Sequence, residues 1–333
     1  MDANPDRTMS PVSKRLRESA SFVLHPTAPF HFDGTVCKPS HFPSPLEVWE
    51  PGRYWHALRL KDALYGVRLS DLGTASKPAV GVTIFSDQKI ASAESELIRE
   101  ELEWRFDLNV DLREFLRAGQ NDPRFRKAFR SLRGMRASCP YSLYELAIIC
   151  VLLQNATVRR TVQMTGALLD AFGTELRFDS KRVFAMWRPA DLDNVSEAEL
   201  RALKIGYRAR MLKRLSQDFA RGAVDEFRLR TLDLDSAKKE LMKLYGVGPE
   251  TARILMYSAC HQSHPLLHIA PWQQKIYSRL FYDKPLVPAR RILRDLNNRF
   301  GDRASLAVDY AWEDLFWRHR RNPIDWLQKE IRL

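Results

Sequence analysis

The segment from Ser236 to Met256, Ser-Ala-Lys-Lys-Glu-Leu-Met-Lys-Leu-Tyr-Gly-Val-Gly-Pro-Glu-Thr-Ala-Arg-Ile-Leu-Met, constrains the chain more than any other stretch. It reads as helix, tight turn, helix. Ser236 is placed to cap the first helix. Gly246 and Gly248 give the permissive backbone that closes a tight turn around the apolar Val247. Pro249 takes the first position of the second helix, where a missing amide hydrogen costs nothing. That helix, running to about Cys260, therefore begins with unbonded amides, Thr251 among them, and with the positive end of its dipole facing out of the turn. Such an end holds a phosphate without reading base sequence. Lys243 and Arg253 add positive charge nearby. A plain helix-turn-helix with a glycine corner looks the same locally, so the rest of the chain has to decide.

Charge points the same way. The chain has 53 Lys and Arg against 41 Asp and Glu, a formal net charge of +12, which favours a polyanionic partner: nucleic acid first, an acidic membrane surface second. No apolar run approaches the roughly 20 residues a membrane span needs, and the first residues lack the apolar stretch of a signal peptide. Cys37, Cys139, Cys150 and Cys260 form no C-x-x-C pair, so neither zinc nor an iron–sulfur cluster is supported, and no metal or cofactor is expected. Buried free thiols suit a reducing interior, and the expected compartment is intracellular, in the cytoplasm or nucleoid of a prokaryote or in a nucleus.

Along the 333 residues, about two domains are expected. Residues 1–28 mix Pro, Ser, Asp and Arg without periodicity and read as a mobile tail carrying Lys14, Arg15 and Arg17. Residues 29–105 form the second unit. Its strand-like runs at 54–60, 64–69 and 79–85 are rich in aromatic and branched side chains and predict a small antiparallel sheet. From Ser92 onward the pattern is helical, with helices expected over 94–104, 110–118, 123–132, a long apolar periodicity over 142–171, and further helices over 197–203, 209–220, 236–245, 249–260, 272–281, 288–300 and 304–319. The fold class is α+β: a mostly helical body over 106–333 with a small N-terminal antiparallel sheet.

Four stretches together carry a resemblance. Leu244–Ala252 with Ile269–Leu280, Phe106–Leu112, Leu152-Leu-Gln-Asn-Ala-Thr-Val-Arg-Arg160 and Lys204-Ile-Gly-Tyr-Arg-Ala209 resemble the helix-hairpin-helix DNA glycosylases, in the branch of the 8-oxoguanine and AlkA-type alkylbase enzymes. The likeness covers roughly residues 30–320. It implies a monomer that acts on double-stranded DNA containing a damaged base in base excision repair. Such an enzyme extracts the base from the stack before cutting its glycosidic bond. Gln154 or Asn155 then matches the residue that fills the gap, and Tyr207 the aromatic wedge. Arg159 and Arg208 fall where the 8-oxoguanine enzymes hold the opposite cytosine, whose acceptor edge suits arginine donors. A slipped alignment puts Arg160 in place of Arg159. Without those roles, Gln154 and Asn155 are a polar helix end and the arginines are phosphate contacts.

Two positions depart from the family pattern. The family's catalytic aspartate, which stabilises the cationic sugar, falls on Ala270. Either Ala270 is a substitution that disables the enzyme, the expectation adopted here, or the chain is a natural protein that binds lesions without cleaving them. Asp309 and Glu313 on the late helix are weaker substitutes, more ordinarily ion-pair or capping residues. Bifunctional members carry a Schiff-base lysine where this chain has Glu250. Activity should therefore be monofunctional, with Glu250 either facing the base pocket or serving as a helix-start acid. The resemblance also implies an aromatic from the last helix, Phe316 or Trp317, stacked on the extracted base, while Tyr310 and Trp312 are core. Phe30, His31 and Phe32 are weaker pocket candidates. His264 and His268 read as loop histidines. The arginine pair leans towards a guanine lesion opposite cytosine, and Glu250 in place of lysine towards the monofunctional alkylbase enzymes.

Overall fold

A computed structural model describes residues 11–331, and residues 1–10 of the expected tail lie outside that range. The chain begins with β1 (Val12–Arg15), β2 (Arg17–Leu24), a short α1 (Phe32–Val36), β3 (Glu47–Glu50), β4 (Arg53–Leu60), β5 (Ala63–Asp71) and β6 (Val80–Ser86). Strands β2 to β6 form one antiparallel sheet in the order β2-β6-β5-β4-β3. A second sheet has the order β1-β7-β8, with β7 (Thr174–Phe178) and β8 (Lys181–Ala185), and β1 pairs with β7 in parallel.

Two expectations are corrected here. Residues 12–24 are not a free tail. They make two strands, because the alternation from Arg17 to Leu24 fits the open edge of β6 and Val12–Arg15 completes the edge of β7. The region after Ser92 is also not helical throughout, since β7 and β8 interrupt it. These strands exist to cover the large sheet. Trp55 and Phe85 on its outer face pack on Leu16, Leu176, Phe178 and Val183, while its inner face packs on Ile98, Leu102 and Phe106. With both faces covered, β4 to β6 lose the in–out alternation of a half-solvated sheet. The layers approach closely: a Cβ on Gly66 would stand 2.7 Å from the Phe178 ring.

The helical body contains α2 (Ser92–Arg105), α3 (Arg113–Asn121), α4 (Arg126–Ser131), α5 (Leu143–Leu153), α6 (Val158–Phe172), α7 (Glu197–Ala202), α8 (Arg208–Ala220), α9 (Glu226–Thr231), α10 (Leu234–Leu241), α11 (Pro249–Ala259), α12 (Pro271–Tyr282), α13 (Ala289–Phe300), α14 (Ala304–Arg321) and α15 (Asp325–Glu330). Its two largest apolar cores draw on different helices. One gathers α5, α6, α8, α10 and α11 around Val151, Leu168, Leu212, Leu241 and Leu255. The other gathers α3, α4, α12, α13 and α14 around Phe115, Phe125, Phe129, Ile292 and Tyr310. Arginines bridge the sheet layer to the first core. Glu101 on α2 accepts from Arg105 at 2.7 Å and from Arg230 on α9 at 2.8 Å, and Arg230 also reaches Glu226 at 2.6 Å.

Candidate functional site

The glycine turn sits between α10 and α11. Its first helix is capped by Asp233, which accepts from the amides of Asp235 and Ser236 at 3.1 and 3.0 Å, so Ser236 is a first-turn residue rather than the cap. Gly246 adopts φ +86°, a backbone region that suits glycine, and a Cβ there would meet the Met211 Cε at 2.8 Å. Val247 is buried and plugs the turn into the first core. Gly248 has φ −88°, so its value is openness rather than conformation: nothing lies within 4 Å of a Cβ built there. Pro249 opens α11, and the amides of Gly248, Glu250 and Thr251 find no backbone carbonyl among the described residues. These amides are the anion-binding end that the sequence implies.

The side chains beside the turn contribute less positive charge than expected. Lys243 is exposed but paired with Glu240 at 2.8 Å. Arg253 turns along α11 to pair with Glu250 at 3.1 Å, with only 23% of its side chain exposed. Thr251 is buried, which leaves its amide as the available group. Further positive charge comes from α8, where Arg210 and Arg214 stand over the Tyr245 ring at 5.6 and 4.4 Å and make no ion pair among the described residues.

A second edge meets this turn. The long periodicity over 142–171 breaks into α5 and α6 because Asn155 takes φ +48° and Thr157 recaps the chain by accepting from the Arg160 amide. The break places Gln154 so that its Nε2 donates to the Gly246 carbonyl at 3.0 Å. Tyr207 donates to the Gln154 carbonyl at 3.3 Å and accepts from Asn155 at 3.4 Å, and its ring is 48% exposed. Gln154, Asn155, Tyr207 and the glycine turn therefore form one continuous rim. Arg208 is buried, donates to the Gln154 carbonyl and lies over the Tyr207 ring at 4.7 Å, so it braces the rim in this state. Arg160 likewise bonds the Lys204 carbonyl, whereas Arg159 is exposed at the start of α6.

Behind the rim, the two helical cores meet along a polar lane. Glu250, Arg253 and Tyr257 are spaced three and four apart and share one face of α11. Tyr257 donates to Asp309 of α14 at 2.5 Å. Desolvation raises the Asp309 carboxyl, and the Tyr257 hydrogen bond and the charge of Lys38 oppose that rise. Lys38 follows α1 and is anchored by the Gly34 and Arg136 carbonyls at 2.7 and 2.9 Å. Burial lowers its pKa. Glu313, one helical turn beyond Asp309, ends the lane. It is 5% exposed, accepts from Ser40 through Oε1, and desolvation pushes it up to about 7.

Ala270 begins α12 as its N-cap, half-buried and followed by Pro271. Its amide donates to the Gln273 side chain at 3.1 Å, but a methyl cannot cap the helix in return. Two residues on, Trp272 is 49% exposed and meets Trp312 edge-on at 5.6 Å. Phe316 and Trp317 are both buried, Phe316 against Trp312 at 5.1 Å and Trp317 against Trp49 at 5.3 Å. Trp272, which sequence reasoning passed over, is open to solvent, and Trp312, expected as core, is half-buried. A tryptophan two residues after the expected catalytic position was the available signal. His264 and His268 both lie in the loop before α12, His264 buried and in contact with Ser305, His268 exposed. Phe30 and Phe32 belong to the core beneath the sheet.

No family model matches the chain. By sequence it is 21% identical over 220 residues to the DNA-3-methyladenine glycosylase of Bacillus subtilis, covering 66% of this chain and 68% of that protein. It is 24% identical over 252 residues to a probable N-glycosylase/DNA lyase of Methanothermobacter thermautotrophicus, covering 68% of this chain and 76% of that protein. In structure it is similar to a 3-methyladenine DNA glycosylase from Archaeoglobus fulgidus, with a TM-score of 0.70 over 91% of this chain and 99% of that one at 17% identity. That likeness covers the small sheet as well as the helical body.

Proposed function

From the premise that the chain has the α+β fold of the helix-hairpin-helix DNA glycosylases, we propose that it is a monofunctional DNA glycosylase of base excision repair. Its substrate is a damaged purine extracted from duplex DNA, and it works as a monomer. The observation that carries this reading is the rim, where Gln154 joins the wedge loop to the phosphate-binding turn at 3.0 Å. One edge then grips the backbone while Tyr207 and Asn155 stand ready to fill a vacated stack. In this account Arg159 faces the orphaned partner base and Trp272 with Trp312 forms the aromatic side of the base site. Glu250 is exposed and paired with Arg253, and it lacks the amine that strand cleavage by a Schiff base requires.

Ala270 supports two versions. In the first, the chain retains extraction and binding but lacks the carboxylate that stabilises the sugar cation, so it releases base slowly. In the second, it is a lesion binder by nature. Both predict preference for damaged DNA. Binding to duplexes carrying a single modified purine, set against the same duplex undamaged, tests that shared core. At least tenfold tighter binding to one lesion is expected, together with loss of that preference in Tyr207→Ala. Equal affinity for every duplex would leave a general DNA-binding module. Salt dependence does not discriminate, because phosphate contacts produce it in every version.

A further inference from the structure

On the glycosylase reading, on which this rests, we infer that Glu313 is the proton donor to the leaving base, and that the site is built for electrically neutral damaged purines.

Glu313 has one satisfied and one free oxygen. Oε1 accepts from Ser40, whereas Oε2 is buried and has no partner among the described residues. Buried polar atoms are ordinarily bonded, so one left open needs an explanation, and a catalytic role is one. A second open group stands one helical turn away: the buried Trp317 Nε1 also lacks a partner. Residues four apart on a helix share a face, so an unpaired carboxyl oxygen and an unpaired N–H lie on one side of α14. The Lys38 ammonium gives two of its three donors to backbone carbonyls and forms no ion pair with Glu313 among the described residues. Cys37, Lys38, Ser40, Asp309 and Trp312 near Glu313 are half-buried rather than fully enclosed.

The protonation state follows from these neighbours. Desolvation raises Glu313 first, the Lys38 charge and the Ser40 hydrogen bond lower it, and Asp309 on its own helix raises it. Cys37, itself raised to about 11 chiefly by burial, is neutral at physiological pH and adds no charge. With Glu313 near 7, a large share of molecules carry a proton on the free oxygen at neutral pH. A general acid poised near the working pH is in its effective range.

The step balances without a further reagent. The bond from C1′ to the base nitrogen breaks and its electron pair leaves with the base. The Glu313 proton moves to a ring nitrogen, so the base departs neutral. Water adds hydroxide to C1′ and its remaining proton restores Glu313. A base that already carries a positive charge leaves as a neutral molecule unaided and does not need this proton.

That difference gives the test. Base release is measured under single-turnover conditions from pH 5.5 to 8.5 in the Ala270→Asp background, on duplexes carrying one 8-oxoguanine, one hypoxanthine or one 7-methylguanine. A neutral lesion is expected to be released faster as pH falls through about 7. Adding Glu313→Gln should slow that release by roughly 100-fold or more and flatten its pH profile, while release of cationic 7-methylguanine changes less than about threefold. Ser40→Ala removes a bond to the carboxylate and should move the midpoint upward, which keeps the test alive if the glutamine variant folds poorly. An unchanged rate and profile in Glu313→Gln overturns the inference, as does equal slowing of both lesion types. Failure of the Ala270→Asp chain to release any lesion removes the glycosylase reading and the inference with it.

Discussion

Glu101 and Glu313 are equally buried, each 5% exposed, yet they are treated in opposite ways. Glu101 receives Arg105 and Arg230 in direct contact. Burial pushes its pKa up, but those two guanidinium groups outweigh it and hold it below the usual carboxylate range. Glu313 receives one hydroxyl and no cation in contact, and burial carries it up to about 7. The first arrangement costs nothing chemically and fixes α2 to α9. The second holds a half-bonded carboxyl, raised to about 7, inside the fold, which stability alone does not explain. The contrast separates a joint from the proposed acid, and perturbations at Arg230, Glu101 and Glu313 act on it directly.

The largest effect should come from the joint. Arg230→Met leaves Glu101 short of a partner and should destabilise the fold by about 3–5 kcal/mol, read as a lowered urea midpoint. The pH dependence has a definite sign. A carboxyl depressed by folding contributes stability that is present above its unfolded value and lost as pH falls through the folded one, so the parent should weaken on acidification below about pH 4.5, and Glu101→Gln should weaken less.

Glu313→Gln should do the reverse. A carboxyl raised by folding from 4.5 to about 7 makes the parent lose stability as pH rises between those values. The variant should therefore match the parent near pH 4 and exceed it at pH 8 by up to roughly 3 kcal/mol, seen as a gap in melting temperature that opens with pH. A gap independent of pH would remove the contrast with Glu101.

Smaller effects probe the rim and the helix start. Gly246→Ala forces a side chain into φ +86° against Met211 and should cost about 1–2 kcal/mol while weakening binding to all duplexes alike. Ala270→Asp supplies the missing cap of α12 and should add about 1 kcal/mol, with Ala270→Asn adding a similar amount because both side chains accept from first-turn amides.

What the sequence disclosed follows contact distance along the chain. The turn at Gly246–Pro249 and the strands from Arg53 to Ser86 depend on neighbours close in sequence, and local propensity was enough to find them. The second sheet was hidden because β1 pairs with a strand about 160 residues later, and no local pattern marks Val12–Arg15 as its partner. The resemblance marked Gln154–Asn155 as a helix end, but the apolar periodicity that runs across both helices gave no sign of the left-handed residue there. In the candidate site, Ala270, Glu250 and Tyr207 were singled out by the family resemblance. The lane from Tyr257 to Lys38 could not be found, since Glu313 meets Ser40 across 273 positions. An acid beside Trp312, Phe316 and Trp317 was the local sign, and it reads equally well as a surface charge.

The central claim is that this chain extracts a damaged purine and lacks only the carboxylate at 270. It is tested most directly by measuring base release from single-lesion duplexes for the parent, Ala270→Asp and Ala270→Asn. The account predicts that aspartate alone raises release of one lesion by about 100-fold or more, while asparagine stabilises the helix without restoring chemistry. If the aspartate chain binds that lesion preferentially yet releases no base above the parent's rate, the claim is contradicted and the protein is a reader of damage rather than an enzyme.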